Sequence, residues 1–203
     1  MPRRGLSTDQ VVQAAAELAD AEGLAAVSLS EVARRTGVRT ASTYSHVAGL
    51  DDLLARLAAL ALTEIADRAA AALAGVAGRE ALAALCDAYR DYGLAHPGRY
   101  AATRHPLAPD GPAGAAARRH ADLTRAVLRG YGLEEQAQVH AVRLVGSVVH
   151  GFVTLELAGA FAHSQPSSER SWRHAVEVLD DALRRLSTAA PESTDPETTR
   201  STP

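Results

Sequence analysis

Residues 39–46 of the sequence bring together side chains that bind phosphate and contact base edges. Arg39 carries a permanent positive charge, and most of the residues after it are small or end in a hydroxyl or imidazole group. These residues are Thr40, Ala41, Ser42, Ser45 and His46. Guanidinium and hydroxyl groups donate hydrogen bonds to phosphate oxygens, and small side chains meet base edges and thymine methyl groups without collision. On the exposed face of a helix, this set would suit the major groove of DNA.

Two short predicted helices would position that set. The first runs from Ser28 to Arg35, and its opening residues Ser28-Leu29-Ser30-Glu31 have the spacing of a capping box. The second runs from about Thr40 to Val47. Gly37 supplies the tight turn between them, and Ala33 is small where the two helices would cross. The pattern fits a helix-turn-helix, but a helical hairpin inside an ordinary bundle has the same pattern, so both interpretations remain open.

The charge distribution favours a local contact with nucleic acid. A formal net charge of −3 argues against the broad cationic surface that nonspecific coating of DNA requires. Between residues 28 and 47, however, three arginines stand against Glu31 alone. Arg3 and Arg4 would add mobile positive charge at the N-terminus. We therefore expect any DNA contact to be confined to the N-terminal part of the chain.

The composition predicts an all-α protein. Of the 203 residues, 47% are hydrophobic, and clusters of β-branched residues bounded by turns are nearly absent. The first helix is predicted from Ser7, which forms a capping box with Gln10, to Gly23 in a left-handed conformation. A long amphipathic helix is predicted from Leu50 to about Leu73. Further helices are predicted over 79–95, 98–104, 113–129, 134–158 and 168–187.

The sequence indicates neither a membrane protein nor an enzyme. Its longest apolar stretch, Leu144 to Leu157, is shorter than the ~20 residues that span a bilayer, and no signal peptide is recognised, so a cytoplasmic protein is expected. Cys86 lies among leucines, as an inert buried thiol would, and no catalytic motif is found. His140 and His150 are too far apart on one predicted helix to form a metal pair. We expect no metal and no cofactor.

Ser28 to Leu54, with the sequence SLSEVARRTGVRTASTYSHVAGLDDLL, resembles the DNA-binding domain of the tetracycline-repressor (TetR) family. The matching positions are Ala33, Gly37-Val38, Tyr44, His46-Val47 and Leu53-Leu54, and the resemblance extends over about Leu6 to Leu57. It implies that Tyr44 and His46 contact phosphates. The residues that it places towards the groove are Arg39, Thr40, Ser42 and Ser45.

Other residues of this region complete or qualify the predicted DNA contacts. Ser28, Arg3 and Arg4 are further candidate DNA-binding residues, and Tyr44 would suit a core position between two helices equally well. Thr43 stands where the family commonly has a packed Leu, and Leu50 stands where it commonly has a Lys that touches phosphate. The missing Lys would make operator affinity depend more on the arginines and give a shallower dependence on salt.

Val145 to Phe161, with the sequence VGSVVHGFVTLELAGAF, resembles the C-terminal domain of a TetR subfamily named for a Trp-His-Gly motif, although the Trp is absent. The resemblance covers about Ala81 to Leu186. It implies a homodimer interface formed by the last two helices and a small-molecule pocket enclosed by the C-terminal helices. The polar candidates for ligand contacts are Tyr89, Tyr92, His96, Tyr100, Arg104, His120 and His150. Taken singly, each of them more often forms a hydrogen bond within the core than binds a ligand, and Glu156 is expected to be buried and paired or to lie at the dimer interface.

The sequence therefore predicts a DNA-binding transcriptional regulator. We expect a repressor that binds a palindromic operator as a homodimer and is released by a small organic effector. Its predicted parts are a DNA-binding domain (1–50), a helical ligand-binding and dimerisation domain (51–188) and a disordered tail rich in Pro, Ser, Thr and Glu (189–203). The alternative is a helical metal- or ligand-sensing protein or dimerisation module that does not bind operator DNA.

Overall fold

The computed structural model describes residues 6–106, 108, 110–111 and 113–188. All regular structure in that part of the chain is helical, which confirms the all-α prediction. The helices are α1 (Thr8–Glu22), α2 (Leu29–Thr36), α3 (Thr40–Thr43), α4 (Leu50–Ala72), α5 (Gly78–Ala95), α6 (Pro97–Ala102), α7 (Gly114–Arg129), α8 (Glu135–Leu157) and α9 (Ser168–Thr188). Arg3, Arg4 and the tail 189–203 lie outside the described residues.

The first helix begins at the cap that the sequence predicts. The backbone amide of Gln10 donates to Ser7 Oγ at 3.2 Å, and the amide of Ser7 donates to Gln10 Oε1 at 2.9 Å. The capping box is therefore complete. At the other end Gly23 has a φ of 88° but a ψ of 156°. The predicted left-handed helical conformation was wrong, because the backbone leaves α1 in an extended direction before the 3-10 helix Leu24–Ala26.

The turn between α2 and α3 has the expected geometry. Gly37 has a φ of 69° and a ψ of 26°, and the amide of Val38 donates to the carbonyl of Ala33 at 3.0 Å. The capping box at the start of α2 is only half formed. Ser28 Oγ accepts a hydrogen bond from the Glu31 amide at 3.2 Å, but the Glu31 carboxylate turns to the Arg34 side chain.

The second helix of the pair is shorter than the predicted span of Thr40 to Val47. Thr43 Oγ1 donates to the Thr40 carbonyl at 2.7 Å, and the His46 amide donates to the Thr43 carbonyl at 2.9 Å. A bond to the carbonyl three residues back tightens the last turn as in a 3-10 helix and ends the α-helix. The outward direction of the side chains over residues 44–46 is therefore set by a tight turn.

The longest N-terminal helix, α4, belongs to two hydrophobic cores. Leu53 and Leu57 lie in a core formed with α1 and α2, whereas Ile65 and Ala69 lie in a second core with residues of α5, α7, α8 and α9. Ala102 of α6 also lies in the first core. Both cores are therefore joined through α4 and α6. The division predicted at residue 50 falls at the first residue of this shared helix.

Charged and aromatic side chains fix α8 and α9 against α5. The buried Arg90 of α5 donates to Glu156 at 2.8 Å and to Glu169 at 2.6 Å, so that Glu156 is paired, although it is only half-buried. Trp172 of α9 donates through Nε1 to Asp87 at 2.6 Å. A buried guanidinium is costly unless it is paired, so these contacts specify how the helices sit together.

A membrane span requires a helix of sufficient length and apolar character. None of the helices of the described residues is both long and apolar enough to cross a bilayer.

Candidate DNA-binding surface and ligand cavity

The outer surface of α3, by which we mean the side chains of residues 39–42, 44 and 45, is open to solvent. All six of these residues are exposed, whereas Thr43 on the inner side is fully buried. His46 is half-buried, and Ser28 is half-buried with its hydroxyl engaged in the cap of α2. The candidate groove-facing residues therefore share one accessible surface, and a buried hydroxyl holds α3 from behind.

Tyr44 lies on this surface and not in the core. Its side chain is 60% exposed, which leaves the ring and hydroxyl accessible to a partner. The inner position that an aromatic residue would have filled is taken by Thr43. Of the two roles that the sequence left open for Tyr44, the structure leaves the external one.

The arginines near this surface differ in how they are paired. Arg34 forms an ion pair with Glu31, and Arg35 pairs with Glu22 at 2.6 Å. Arg39 forms no ion pair with any of the described residues and is exposed. Because an unpaired guanidinium gives up no internal contact on binding, Arg39 is the cation best placed for a phosphate or base contact.

A cavity of about 120 Å³ lies between α5, α7 and α8. Its wall is mainly apolar, with a few polar side chains among aliphatic ones. The lining residues are Leu85, Cys86, Tyr89, His120, Ala121, Thr124, Val142, Val145, Gly146, Val149 and His150. An apolar cavity with few convergent polar groups is the usual form of a small-molecule site.

Two tyrosine–histidine pairs form the polar part of the cavity wall. The Tyr89 hydroxyl lies 2.7 Å from His120 Nδ1, and the Tyr100 hydroxyl lies 2.7 Å from His150 Nδ1. Burial lowers the pKa of His120 to about 4, and the nearby His150 adds to this effect. Burial also lowers the pKa of His150, with a further contribution from Arg104. Both imidazoles are therefore neutral near pH 7 and carry one donor and one acceptor each.

The structure brings together only some of the residues predicted to contact a ligand. Tyr89, His120 and His150 line the cavity, and Tyr100 contacts it through His150. Arg104 lies outside it, where it donates to Thr154 at 3.0 Å.

Tyr92 and His96, also predicted as ligand contacts, bond to residues of α4 and α1 instead. Tyr92 donates to Glu64 at 2.6 Å, and His96 Nδ1 lies 3.2 Å from Asp20. Both are hydrogen-bonded within the fold and lie away from the cavity wall.

Sequence reasoning missed the side chains that give the cavity its shape. Thr124 lines the wall and donates through Oγ1 to the His120 carbonyl at 3.2 Å, and Gly146 leaves open space on α8. The spacing of Val142, Val145 and Val149 was the available signal, since it places them on one face of a helix. That signal does not separate a cavity wall from a filled core.

Helix α6 joins the cavity to the DNA-binding part of the chain. Gly98 packs so closely on α1 that a Cβ atom there would lie 2.0 Å from the carbonyl oxygen of Ala19. The Arg99 amide donates to Asp20 at 2.9 Å, and its guanidinium donates to Glu64 of α4 at 3.2 Å. Helix α6 therefore holds α1 and α4 while its Tyr100 contacts the cavity.

Exposed apolar side chains concentrate on the last two helices. Among the described residues, six of the nine exposed large hydrophobic side chains belong to α8 and α9. These six are Val139, Leu144, Leu155, Leu157, Val178 and Leu186. Gly151, between Leu144 and Leu155 on α8, is exposed, and a Cβ atom there would meet nothing within 4 Å. Such a surface is typical of a contact between proteins.

The described residues contain no candidate metal site. No group of three or more His, Cys, Asp or Glu side chains there is arranged to hold an ion. Burial raises the pKa of the Cys86 thiol to about 12, as expected of an inert structural cysteine.

Comparison with known proteins gives consistent results over most of the chain. Residues 82–179 match the family described as the Tetracyclin repressor-like C-terminal domain. The chain is 32% identical over 164 residues to the HTH-type transcriptional regulator YobS of Bacillus subtilis, covering 81% of this chain and 86% of that protein. An HTH-type transcriptional regulator of Mycobacterium tuberculosis is 36% identical over 156 residues, covering 76% of this chain and 72% of the relative.

A solved structure shows the same fold. The TetR family protein ActR of Streptomyces coelicolor, in complex with (S)-DNPA, has a TM-score of 0.67 and 24% identity, covering 88% of this chain and 97% of ActR. No comparison assigns the Trp-His-Gly subfamily, which stays a prediction. On the length and identity of these matches, the chain belongs to the TetR family of helix-turn-helix transcriptional regulators.

Proposed function

We propose that this DNA-binding regulator is a repressor that binds a palindromic operator as a homodimer and is released by a small organic ligand. The observation that carries the proposal is the exposed outer surface of α3. On it Arg39, the hydroxyl residues and Tyr44 are accessible to solvent, directly after the turn at Gly37. Family membership identifies the chain as a regulator and not an enzyme.

The proposed DNA contacts divide into two kinds. Arg39, Thr40, Ser42 and Ser45 face the major groove, while Tyr44 and His46 contact phosphates on its edges. Arg3 and Arg4, outside the described residues, are proposed to contact DNA from the N-terminal arm. Ser28 contributes through the cap of α2, because its hydroxyl is already bonded to Glu31.

Dimerisation is proposed to use α8 and α9. The six exposed hydrophobic side chains on these helices would be removed from water by the same surface of a second copy, and Gly151 permits a close approach. A two-fold axis makes the two α3 surfaces symmetric, so the operator should be palindromic with half-sites about 34 Å apart.

Ligand release is proposed to act through α6 and α4. A ligand between α5, α7 and α8 would contact His150, which bonds to Tyr100 of α6, and α6 holds α1 through Gly98 and Arg99. A change in the position of α6 would therefore move α1 and α4 and alter the separation of the two α3 surfaces. Ligand and operator must then weaken each other by the same factor.

Selection of bound DNA from a random pool, followed by fluorescence anisotropy on the selected site, tests the proposal. A palindrome is expected, and Arg39→Ala should weaken binding at least about tenfold and reduce the salt slope by about one. Arg125→Ala is the matched control, since that arginine is exposed on α7, outside both the α3 surface and the helices proposed to dimerise, and should leave the affinity unchanged.

Failure to select any sequence would contradict operator binding and favour the second candidate. That candidate is a helical ligand-sensing or dimerisation module, which would keep the cavity and the exposed face of α8 and α9 but use neither Arg39 nor Tyr44. The proposed division into residues 1–50, 51–188 and 189–203 follows the same split of roles.

A further inference from the structure

The size of the cavity limits the ligand. Pockets for drug-sized molecules measure about 300–1,000 Å³, whereas a cavity of about 150 Å³ holds a single benzene ring. The cavity between α5, α7 and α8 measures about 120 Å³. Its occupant is therefore limited to about one ring with one or two small substituents.

The lining of the cavity carries no charge near neutral pH. No Asp, Glu, Lys or Arg is among the lining residues. His120, with a pKa of about 4, is protonated in roughly one molecule in a thousand at pH 7. A carboxylate would find no cation inside, and an ammonium group no anion, so either would lose its hydration without replacement.

Gly146 keeps this space open. It lies inside α8, where glycine destabilises a helix relative to alanine. Packing within the chain does not require it, because a Cβ atom at Gly146 would meet nothing within 4 Å. The missing side chain preserves volume that a larger residue would fill, and this is what a binding cavity needs.

Polar groups from three helices meet in the cavity wall. The Tyr89 hydroxyl lies within 2.8 Å of both ring nitrogens of His120, Thr124 Oγ1 donates to the His120 carbonyl at 3.2 Å, and His150 lines the wall from α8. The bond from Tyr100 engages Nδ1 of His150 and leaves Nε2 to meet a ligand. A neutral imidazole offers one donor and one acceptor, and a hydroxyl group can satisfy both kinds.

We propose that the effector is an uncharged single-ring molecule with one hydroxyl group, a simple phenol, and that His150 and the Tyr89–His120 pair bind this hydroxyl while the valines of α8 and Leu85 enclose the ring. The proposal rests on the proposed function only in taking this cavity as the effector site. Selection against charged ligands then follows from the lining and needs no additional gate.

Calorimetric titration of the full chain with ring compounds of matched size tests the ligand class. Near neutral pH, 4-methylphenol is expected to bind with a dissociation constant on the order of 10 μM. Toluene, which lacks the hydroxyl, should bind at least about tenfold more weakly. Benzoate and benzylamine should give no measurable binding. Equal affinity for either ion, or no binding of 4-methylphenol, would overturn the proposal.

Variants locate the site. Gly146→Leu fills the cavity and should abolish binding, and His120→Phe keeps a ring but should reduce the affinity for 4-methylphenol about tenfold, to that of toluene. His140→Ala is the control, since His140 is exposed on α8 and outside the cavity. Circular dichroism checks folding, and the comparison of the four compounds on the unaltered chain decides the ligand class even if a variant unfolds. Unchanged binding by Gly146→Leu would contradict the site.

Operator anisotropy with and without 4-methylphenol separates the two proposals. Binding of the phenol without loss of operator affinity would support the ligand class and contradict release by this site. Operator binding by a chain that binds none of the four compounds would contradict the ligand class and support the DNA-binding part of the proposed function.

Discussion

At the scale of single residues, the candidate DNA-binding side chains are exposed, whereas the polar side chains of the cavity are enclosed by apolar neighbours. Arg39 and Tyr44 are exposed and form no hydrogen bond or ion pair through their side chains within the described part of the chain, whereas His120 and His150 are bonded to tyrosines in an apolar wall. A histidine at the surface would titrate near its ordinary pKa. Burial keeps the two imidazoles neutral near pH 7, and the proposed selectivity of the cavity depends on that neutrality.

The buried imidazole of His120 predicts an acid-sensitive fold. The unfolded chain binds a proton at His120 below about pH 6.5, but the folded chain does so only near pH 4, so stability falls as the pH drops through this window. The loss between pH 7 and 5 should be about 1–2 kcal/mol. Urea denaturation at several pH values measures it.

Replacement of the imidazole isolates this contribution from other titrating groups. His120→Gln should show a shallower decline in stability between pH 7 and 5 than the unaltered chain. His140→Gln, which changes an exposed imidazole on α8, should leave the decline unchanged. Identical slopes for the unaltered chain and His120→Gln would show that this group does not stay neutral on folding.

At the scale of elements, α6 is the short helix through which both halves of the molecule make contact. Its first residues lie on the backbone of α1, its arginine bonds to α1 and α4, and its tyrosine bonds to the cavity histidine. The contact with α1 has no room for a side chain. Such a contact fixes the relative position of two helices more firmly than a flexible ion pair would.

Gly98→Ala should destabilise the protein by at least about 3 kcal/mol. The added methyl would lie 2.0 Å from the Ala19 carbonyl oxygen, and the backbone of α1 cannot yield without moving the whole helix. Gly146→Ala is the matched control within α8. A Cβ atom there meets nothing within 4 Å, and the gain in helix propensity should stabilise the fold by about 0.5–1 kcal/mol. A melting curve of Gly98→Ala equal to that of the unaltered chain would refute the close contact.

At the scale of the whole molecule, two exposed surfaces differ in the chemical character of their side chains. The outer surface of α3 is polar and cationic, whereas α8 and α9 carry six of the nine exposed large hydrophobic side chains of the described residues. An apolar surface that is left exposed costs solubility, and a second copy would bury it. Joining two copies there places two α3 surfaces on one assembly, so that each half-site raises the effective concentration of the other.

Leu155→Glu should convert the proposed dimer into a monomer. The side chain of Leu155 is 50% exposed in the single chain, and a two-fold interface would bring two carboxylates together in an apolar contact. Sedimentation velocity should show halved mass, and anisotropy should show operator affinity reduced about a hundredfold or more. Leu94→Glu is the control, because Leu94 is 40% exposed but lies on α5. A dimer that survives Leu155→Glu would exclude this face as the interface.

Local features of the fold are determined by the sequence alone. The helices, the capping box at Ser7 and the turn at Gly37 depend on residues close together in the chain, so the order of residue types is enough to predict them. The same holds for the resemblance between residues 28–54 and the TetR family, since the residues of this motif are contiguous in the chain and their spacing is visible in the sequence. The end of α3 was predicted too late because a threonine hydroxyl competes locally for a carbonyl, which periodicity does not register.

Tertiary structure decided which polar residues meet. Tyr89 and Tyr92 lie three residues apart, at neighbouring positions on one side of α5, yet Tyr92 bonds to Glu64 of α4 and Tyr89 bonds to His120 of α7, because α5 packs against both of these helices. The cavity, the contact of Gly98 with α1 and the exposure of Tyr44 likewise depend on residues distant in the chain. Spacing in the sequence assigns a side chain to a face of its helix, but only packing determines what lies opposite that face.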